Sequence, residues 1–317
     1  MLRYRSEGNS KQRDLAPVLP GVFGINRMNN TLRIDSFEAQ IEPITAQSRA
    51  LLHELTVSVH WPHRESDIDL LIRLGKGYIA LDEIGRPLGS AMHFPMGDDF
   101  AMMGMMVTPP RLQAQGAGRA LMKRILEDCD GRDLRLNATR SGYRLYRSAG
   151  FVDVGMVYQH QGMVGSVAQV DSVAGVDLAV ISAKDSAAIA QMDARAFGAS
   201  RTAVLDALLG VSTGLVAMRG GQPCGFALMR RFGKGHVIGP LVADSEALAM
   251  LIAASLMRQA QGSFVRVDTP CAGQGLRRFL TDSGLPEFDT VTEMRLGPQR
   301  RASEGLKTYG LAAHSLG

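Results

Sequence analysis

Six consecutive residues, Gln113-Ala114-Gln115-Gly116-Ala117-Gly118, carry the clearest chemistry in the chain. Glycines without a Cβ let neighbouring backbone N–H groups turn toward one point. Beyond them Leu121, Met122, Ile125, Leu126 and Cys129 recur at helical spacing. The same N–H groups are therefore the unpaired donors at the positive end of a helix. A phosphate or pyrophosphate fits there, and Arg119 and Lys123 add charge on the first turns. The dinucleotide fingerprint needs a third glycine where Leu121 stands, and the P-loop needs a Gly-Lys-Ser/Thr that is absent.

Elements on either side must hold this loop. Ala101 to Val107 is a near-continuous apolar run, as in a strand buried on both faces. Pro109 and Pro110 end it, because proline cannot donate to a ladder. Downstream, Leu134–Thr139 reads as a strand. Tyr143 and Tyr146 follow on one face of a short helix that ends at Gly150-Phe151.

The spacing Gln113-x-x-Gly116-x-Gly118, after a strand ending Val107-x-Pro109, resembles the coenzyme A loop of the GNAT acetyltransferases. Leu145-Tyr146-x-x-x-Gly150-Phe151 resembles the later acetyl-CoA motif of that family, at the usual distance downstream. The resemblance covers about residues 37–162. It departs at Gln113 and Ala114, where Arg-Gly is common; that removes a cation and no backbone donor. It implies an α/β fold with a mixed sheet, acetyl-CoA as acyl donor and an amine as acceptor. By the same resemblance, the backbone of Gln115, Gly116, Ala117 and Gly118 holds the pyrophosphate. Gln113, Ala114 and Arg119 complete the cofactor loop, and Met106 and Val107 bind the pantetheine arm and thioester. Asn137 either bonds the pantetheine amides or is a polar residue at a strand end. Tyr146 is the expected acid for the leaving thiolate, with Tyr143 as its substitute.

An amine of the lysine type has a pKa of ~10.4 and must lose a proton before it attacks. Relatives often use a glutamate on the central strand for this, but Phe100–Val107 has no carboxylate. His93, Asp98, Asp99 or a water chain remain as bases. The stretch His60-Trp61-Pro62-His63, with the only tryptophan, is either a lid over the acceptor or a Trp packed on the sheet beside solvated histidines.

A length of 317 residues suggests two domains. With 45% hydrophobic and 21% charged residues, a large core is expected. A net charge of +4 with scattered basic residues suits a polyanionic cofactor and argues against a nucleic-acid surface. Cys129, Cys224 and Cys271 have no metal or disulfide spacing, so no metal site is expected and a reducing cytoplasm is the expected compartment. No apolar run reaches the ~18 residues of a membrane span. Residues 1–36 lack periodicity and read as a flexible tail, unless translation starts at Met28.

The first lobe spans 37–162. A small, polar linker (163–176) follows, and then the pattern starts over through 177–297. Gly85-Arg86-Pro87-Leu88-Gly89 matches Gly221-Gln222-Pro223-Cys224-Gly225. Gly104–Val107 matches Gly239–Val242, and Ser148–Phe151 matches Asp282–Leu285. One recurring offset argues for a tandem repeat. The second copy lacks the chemistry. Asp244-Ser245-Glu246 replaces the glycine loop, and its carboxylates would repel a phosphate; Leu280 stands for Tyr146. The expectation is a tandem GNAT-like chain with one cofactor site, a degenerate second lobe, and a tail (298–317) in which Tyr309-Gly310-Leu311 returns to pack on the fold. Two readings stay open: an N-acetyltransferase for a small-molecule amine held between the lobes, and a catalytically silent acyl-CoA-binding or regulatory protein.

Overall fold

Strand and helix succeed one another in the same order twice. The computed structural model describes residues 31–34, 37–113, 116–300 and 305–317. The first series is β1 (Thr31–Ile34), β2 (Phe37–Pro43), α1 (Arg49–Ser58), α2 (Glu65–Leu74), β3 (Lys76–Leu81), β4 (Pro87–Met96), β5 (Phe100–Val107), α3 (Ala117–Asp128), β6 (Asp133–Ala138), α4 (Arg140–Ser148) and β7 (Val152–Met163). The second is β8 (Val176–Val180), α5 (Ser186–Phe197), α6 (Thr202–Leu209), β9 (Ser212–Arg219), β10 (Gln222–Phe232), β11 (Gly235–Ala243), α7 (Glu246–Gln259), β12 (Phe264–Thr269), α8 (Gln274–Asp282), β13 (Glu287–Leu296) and β14 (Lys307–Gly310). Apart from β1 and β14, the repeat inferred from the offset is thus matched element by element. The register slip between Ser90 and Met92 on β4 recurs between Ala227 and Met229 on β10.

Alternation on the strands fixes which face meets which helices. Ala101 and Met103 of β5 pack with Leu121 and Ile125 of α3, while Phe100 and Met102 face the other way. There they join a core shared by both lobes, with Leu52, Leu55, Ile68, Ile189, Phe197, Leu208, Phe226 and Leu228. Helices α7 and α8 cover the outer face of the second lobe. The long apolar run Ala247–Met257 lies within α7 and supplies much of that cover.

The order of the strands departs from a simple side-by-side repeat. It runs β1-β2-β3-β4-β5-β6-β13-β7-β12-β11-β10-β9-β8. β13 lies between β6 and β7, with Thr292 opposite Ala138 and Val291 opposite Val157. β7 pairs onward with β12. The last long strand of each lobe therefore sits among the strands of the other, and the strands of both lobes join in one 14-stranded sheet. Two expected tails also belong in part to the fold. Thr31–Ile34 pairs with β2, whereas residues 1–30 lie outside the described residues. Within 298–317, β14 pairs with β11, in line with the expected return of Tyr309–Leu311.

The end of the chain is anchored by charge. Arg201 Nη1 donates to the carbonyls of Leu316 and Gly317 at 2.6 Å each. Its Nε and Nη2 donate to Asp193 at 2.7 and 2.8 Å, and the guanidinium lies 4.1 Å from the Phe197 ring. Both side chains are fully buried. Removing one partner of such a pair strands a charge. Asp193→Asn should cost about 3–5 kcal/mol of unfolding free energy, measured by denaturant titration followed through the emission of Trp61. A loss under about 1 kcal/mol would mean the pair does not anchor this segment.

Candidate active site

The site is built where two parallel strands part. β5 and β6 pair from Phe100–Asp133 to Met103–Leu136 and then diverge. The slip on β4 sets Ser90 opposite Val107 and Met92 opposite Gly104, so β5 carries one extra residue. Met105 absorbs it with a φ of 49°, and its carbonyl accepts a 2.8 Å hydrogen bond from the buried Ser90 hydroxyl. From Gly104 to Val107 the side of β5 toward β6 has no strand partner among the described residues. Met106 and Val107 lie on this unpaired stretch.

The glycine loop closes the mouth of that gap. Gly116 takes a φ of 99°, which residues with a Cβ rarely adopt, and caps α3. Helical bonding begins with the Ala120 amide on the Gly116 carbonyl, so the amides of Ala117, Gly118 and Arg119 precede it. Gly118 lies under Thr108 and Leu145 of α4. Arg119 is exposed. The Gln113 side chain turns back and donates to the Thr108 carbonyl at 3.2 Å. Ala114 and Gln115 lie outside the described residues.

Asn137 follows the last β6 residue paired to β5, and Tyr146 lies on α4. Asn137 Nδ2 donates to the His314 carbonyl at 2.9 Å, leaving Oδ1 buried without a hydrogen-bond partner among the described residues. Tyr146 is buried against Phe151, and burial pushes its phenol well above the usual range. Tyr143, by contrast, is tied to Asp153 at 2.9 Å.

The bases suggested by sequence fall at two different places. His93 stands on β4 opposite Met103, the last β5 residue paired to β6, and its Nε2 lies 3.8 Å from Asp128 at the end of α3. Asp98 and Asp99 precede β5, whose eight residues separate them from its open end by roughly 25 Å. Asp99 is also paired with Arg300 at 2.8 Å. Trp61 packs on the shared core. His63 sits edge-on to Phe232 of β10 at 5.4 Å, so this stretch meets the second lobe.

The equivalent gap in the second lobe is filled. β11 and β12 pair only at His236–Val265 and Val237–Arg266. β14 then takes the open side of β11, with Gly310 opposite Leu241 and Lys307 opposite Ala243. Leu311 N continues onto the Asp268 carbonyl at 2.8 Å. At the start of α7, Ser245 Oγ caps the Leu248 amide. Glu246 in the first turn also accepts the Leu276 amide of α8 at 2.9 Å. A carboxylate thus lies between two helix N-termini. Asp244 is held by Arg219, and Leu280 is fully buried. Sequence reasoning placed these carboxylates but missed β14, Ser90, Gly104, His314 and Ser315. The apolar run Tyr309–Leu311 was the one signal for the strand.

Residues 75–166 and 189–310 each match the description "Acetyltransferase (GNAT) domain", together more than half of the chain. The protein belongs to the GNAT acetyltransferases, with two such domains in tandem. The "Uncharacterized N-acetyltransferase YitH" of Bacillus subtilis (strain 168) is 24% identical over 233 residues, covering 72% of this chain and 81% of that protein. A putative acetyltransferase from Pyrococcus horikoshii superposes with a TM-score of 0.72 at 23% identity, over 88% of this chain and 96% of that one. A tandem GNAT protein from the clavulanic acid biosynthesis pathway gives 0.59 at 15%, over 83% and 100%. At these identities the two structures speak for the fold alone.

The lobe contact carries its own pH dependence. His63 is pushed down from 6.5 to about 4, first by burial, then by the cations Arg266 and Arg230 and by His314, against the pull of Asp67. As pH falls, the unfolded imidazole takes up its proton first. The stability His63 contributes is therefore whole above 6.5 and lost between 6.5 and about 4. Unfolding free energy should fall from pH 7 to pH 5 by on the order of 1–2 kcal/mol more in the parent protein than in His63→Phe. Equal slopes in parallel denaturant titrations would remove His63 from this role.

Proposed function

We propose that the first lobe transfers the acetyl group of acetyl-CoA to a primary amine, that of a small molecule, and that the second lobe does not bind the cofactor. One observation carries this reading. The parted strands lead from a glycine-capped helix start to a gap lined by unpartnered backbone, whereas the matching gap is occupied by β14 and Glu246.

The donor set suits the cofactor. The amides of Ala117, Gly118 and Arg119, with the loop through Gln113, Ala114, Gln115 and Gly116, hold the pyrophosphate at the positive end of α3. Met106 and Val107 offer backbone groups to the pantetheine arm. Asn137 Oδ1, an unpaired buried acceptor, takes an amide N–H. Acetyl-CoA supplies the acyl group and a thiolate to be protonated. Tyr146 Oη keeps its proton at neutral pH, because burial opposes the phenolate, and gives it to that sulfur. The 2.8 Å bond from Ser90 to the Met105 carbonyl locks the bulge that orients the β5 backbone.

Tyr146→Phe should lower turnover by about 10²–10³-fold while changing acetyl-CoA affinity less than threefold. The assay is release of the CoA thiol with a panel of primary amines. Unchanged turnover would remove Tyr146 from the acid role. Tight acetyl-CoA binding with no thiol release across the panel would favour the silent acyl-CoA-binding alternative. Acetylation of a protein lysine but of no small amine would overturn the small-molecule acceptor.

A further inference from the structure

The point at which β5 and β6 part is closed by residues from the far end of the chain. Just past the last paired residues, Met103 and Leu136, stand Gly104 on one strand and Asn137 on the other. Both meet the segment that follows β14. A Cβ on Gly104 would fall 2.2 Å from Ser315 Oγ and 2.5 Å from its Cβ. Asn137 Nδ2 donates to the carbonyl of His314, the preceding residue. Two consecutive residues thus bridge the diverging strands at their crotch, and the Ser315 hydroxymethyl group takes the place a side chain at 104 would fill.

The bridge is held from several sides. The Leu311 amide bonds to the Asp268 carbonyl at 2.8 Å. His314 Nε2 lies 3.4 Å from the Asp268 carboxylate, which is 2% exposed. Leu316 is fully buried, with its carbonyl on Arg201. One stretch of chain therefore fills the gap of the second lobe along its length and stops the gap of the first lobe at its inner end.

We propose that His314 and Ser315 form the end wall of the acyl pocket in the first lobe and confine the donor to a two-carbon acyl group. The inference rests on the cofactor reading above. A donor anchored by its pyrophosphate at Gly116–Gly118 enters from the open ends of β5 and β6 and runs toward their junction. The acyl group is its far end, and the methyl meets Ser315. Every further methylene needs volume that a close-packed, multiply anchored segment already occupies. Gly104 is required because the segment approaches the strand so closely.

The test is calorimetric titration of the full chain with CoA, acetyl-CoA, propionyl-CoA and butyryl-CoA, each acyl affinity read as its ratio to CoA in the same variant. The parent protein should bind butyryl-CoA at least about tenfold more weakly than acetyl-CoA. Ser315→Gly should bring the two within about threefold, with Ser315→Ala intermediate. Gly104→Ala drives a Cβ onto Ser315 and should weaken acetyl-CoA about tenfold relative to CoA, and the double variant Gly104→Ala/Ser315→Gly should restore it. Equal affinities across the acyl series, or an unchanged series in both folded Ser315 variants, would overturn the end wall while leaving the cofactor site standing. No binding of any of the four would overturn the proposed function, and this inference with it.

Discussion

A parallel pair of strands that parts midway exposes backbone N–H and C=O groups, and these must find partners. The rest of this molecule can be understood from how it answers that demand twice. In the second lobe the answer is internal: β14 takes the open edge of β11, and Glu246 takes the anion's place between α7 and α8. In the first lobe the edge from Gly104 to Val107 stays open. A left-handed glycine and the first amides of α3 stand at its mouth. The same architecture thus yields one strand edge covered by the chain and one without a strand partner among the described residues.

The lobes are not independent. β13 and β7 join the strands of the two lobes into one sheet, a single core joins α1 and α2 to α5 and α6, and the segment after β14 reaches from β11 to Asn137 of the first lobe. Exchange of the last long strands makes loss of either lobe costly to both. It offers a physical reason for a degenerate copy to remain: the second lobe gives the first a strand, a wall and an anchored tail.

Much of this was legible in the sequence, because it is local. The glycine loop, the apolar face of α3, the Leu-Tyr…Gly-Phe motif and the repeated offset each lie within a short window, and the secondary structure follows them closely. The strand exchange was not legible. β7 and β13 carry similar patterns, and which neighbour each chooses depends on contacts more than a hundred residues away. β14 is four residues long and gives little periodicity to read. The acidic candidates show what spacing in sequence leaves out: Asp98 and Asp99 are near the motif in sequence, but the extended strand β5 separates them from its open end, and Asp99 is paired with Arg300.

The most direct test of the account is the stoichiometry of acetyl-CoA binding by calorimetry. A filled second gap and an open first gap predict one site per chain. Two equivalents bound per chain would mean that β14 and Glu246 yield to the cofactor, contradicting the asymmetry on which the reading rests. No binding would contradict the open gap as a cofactor site.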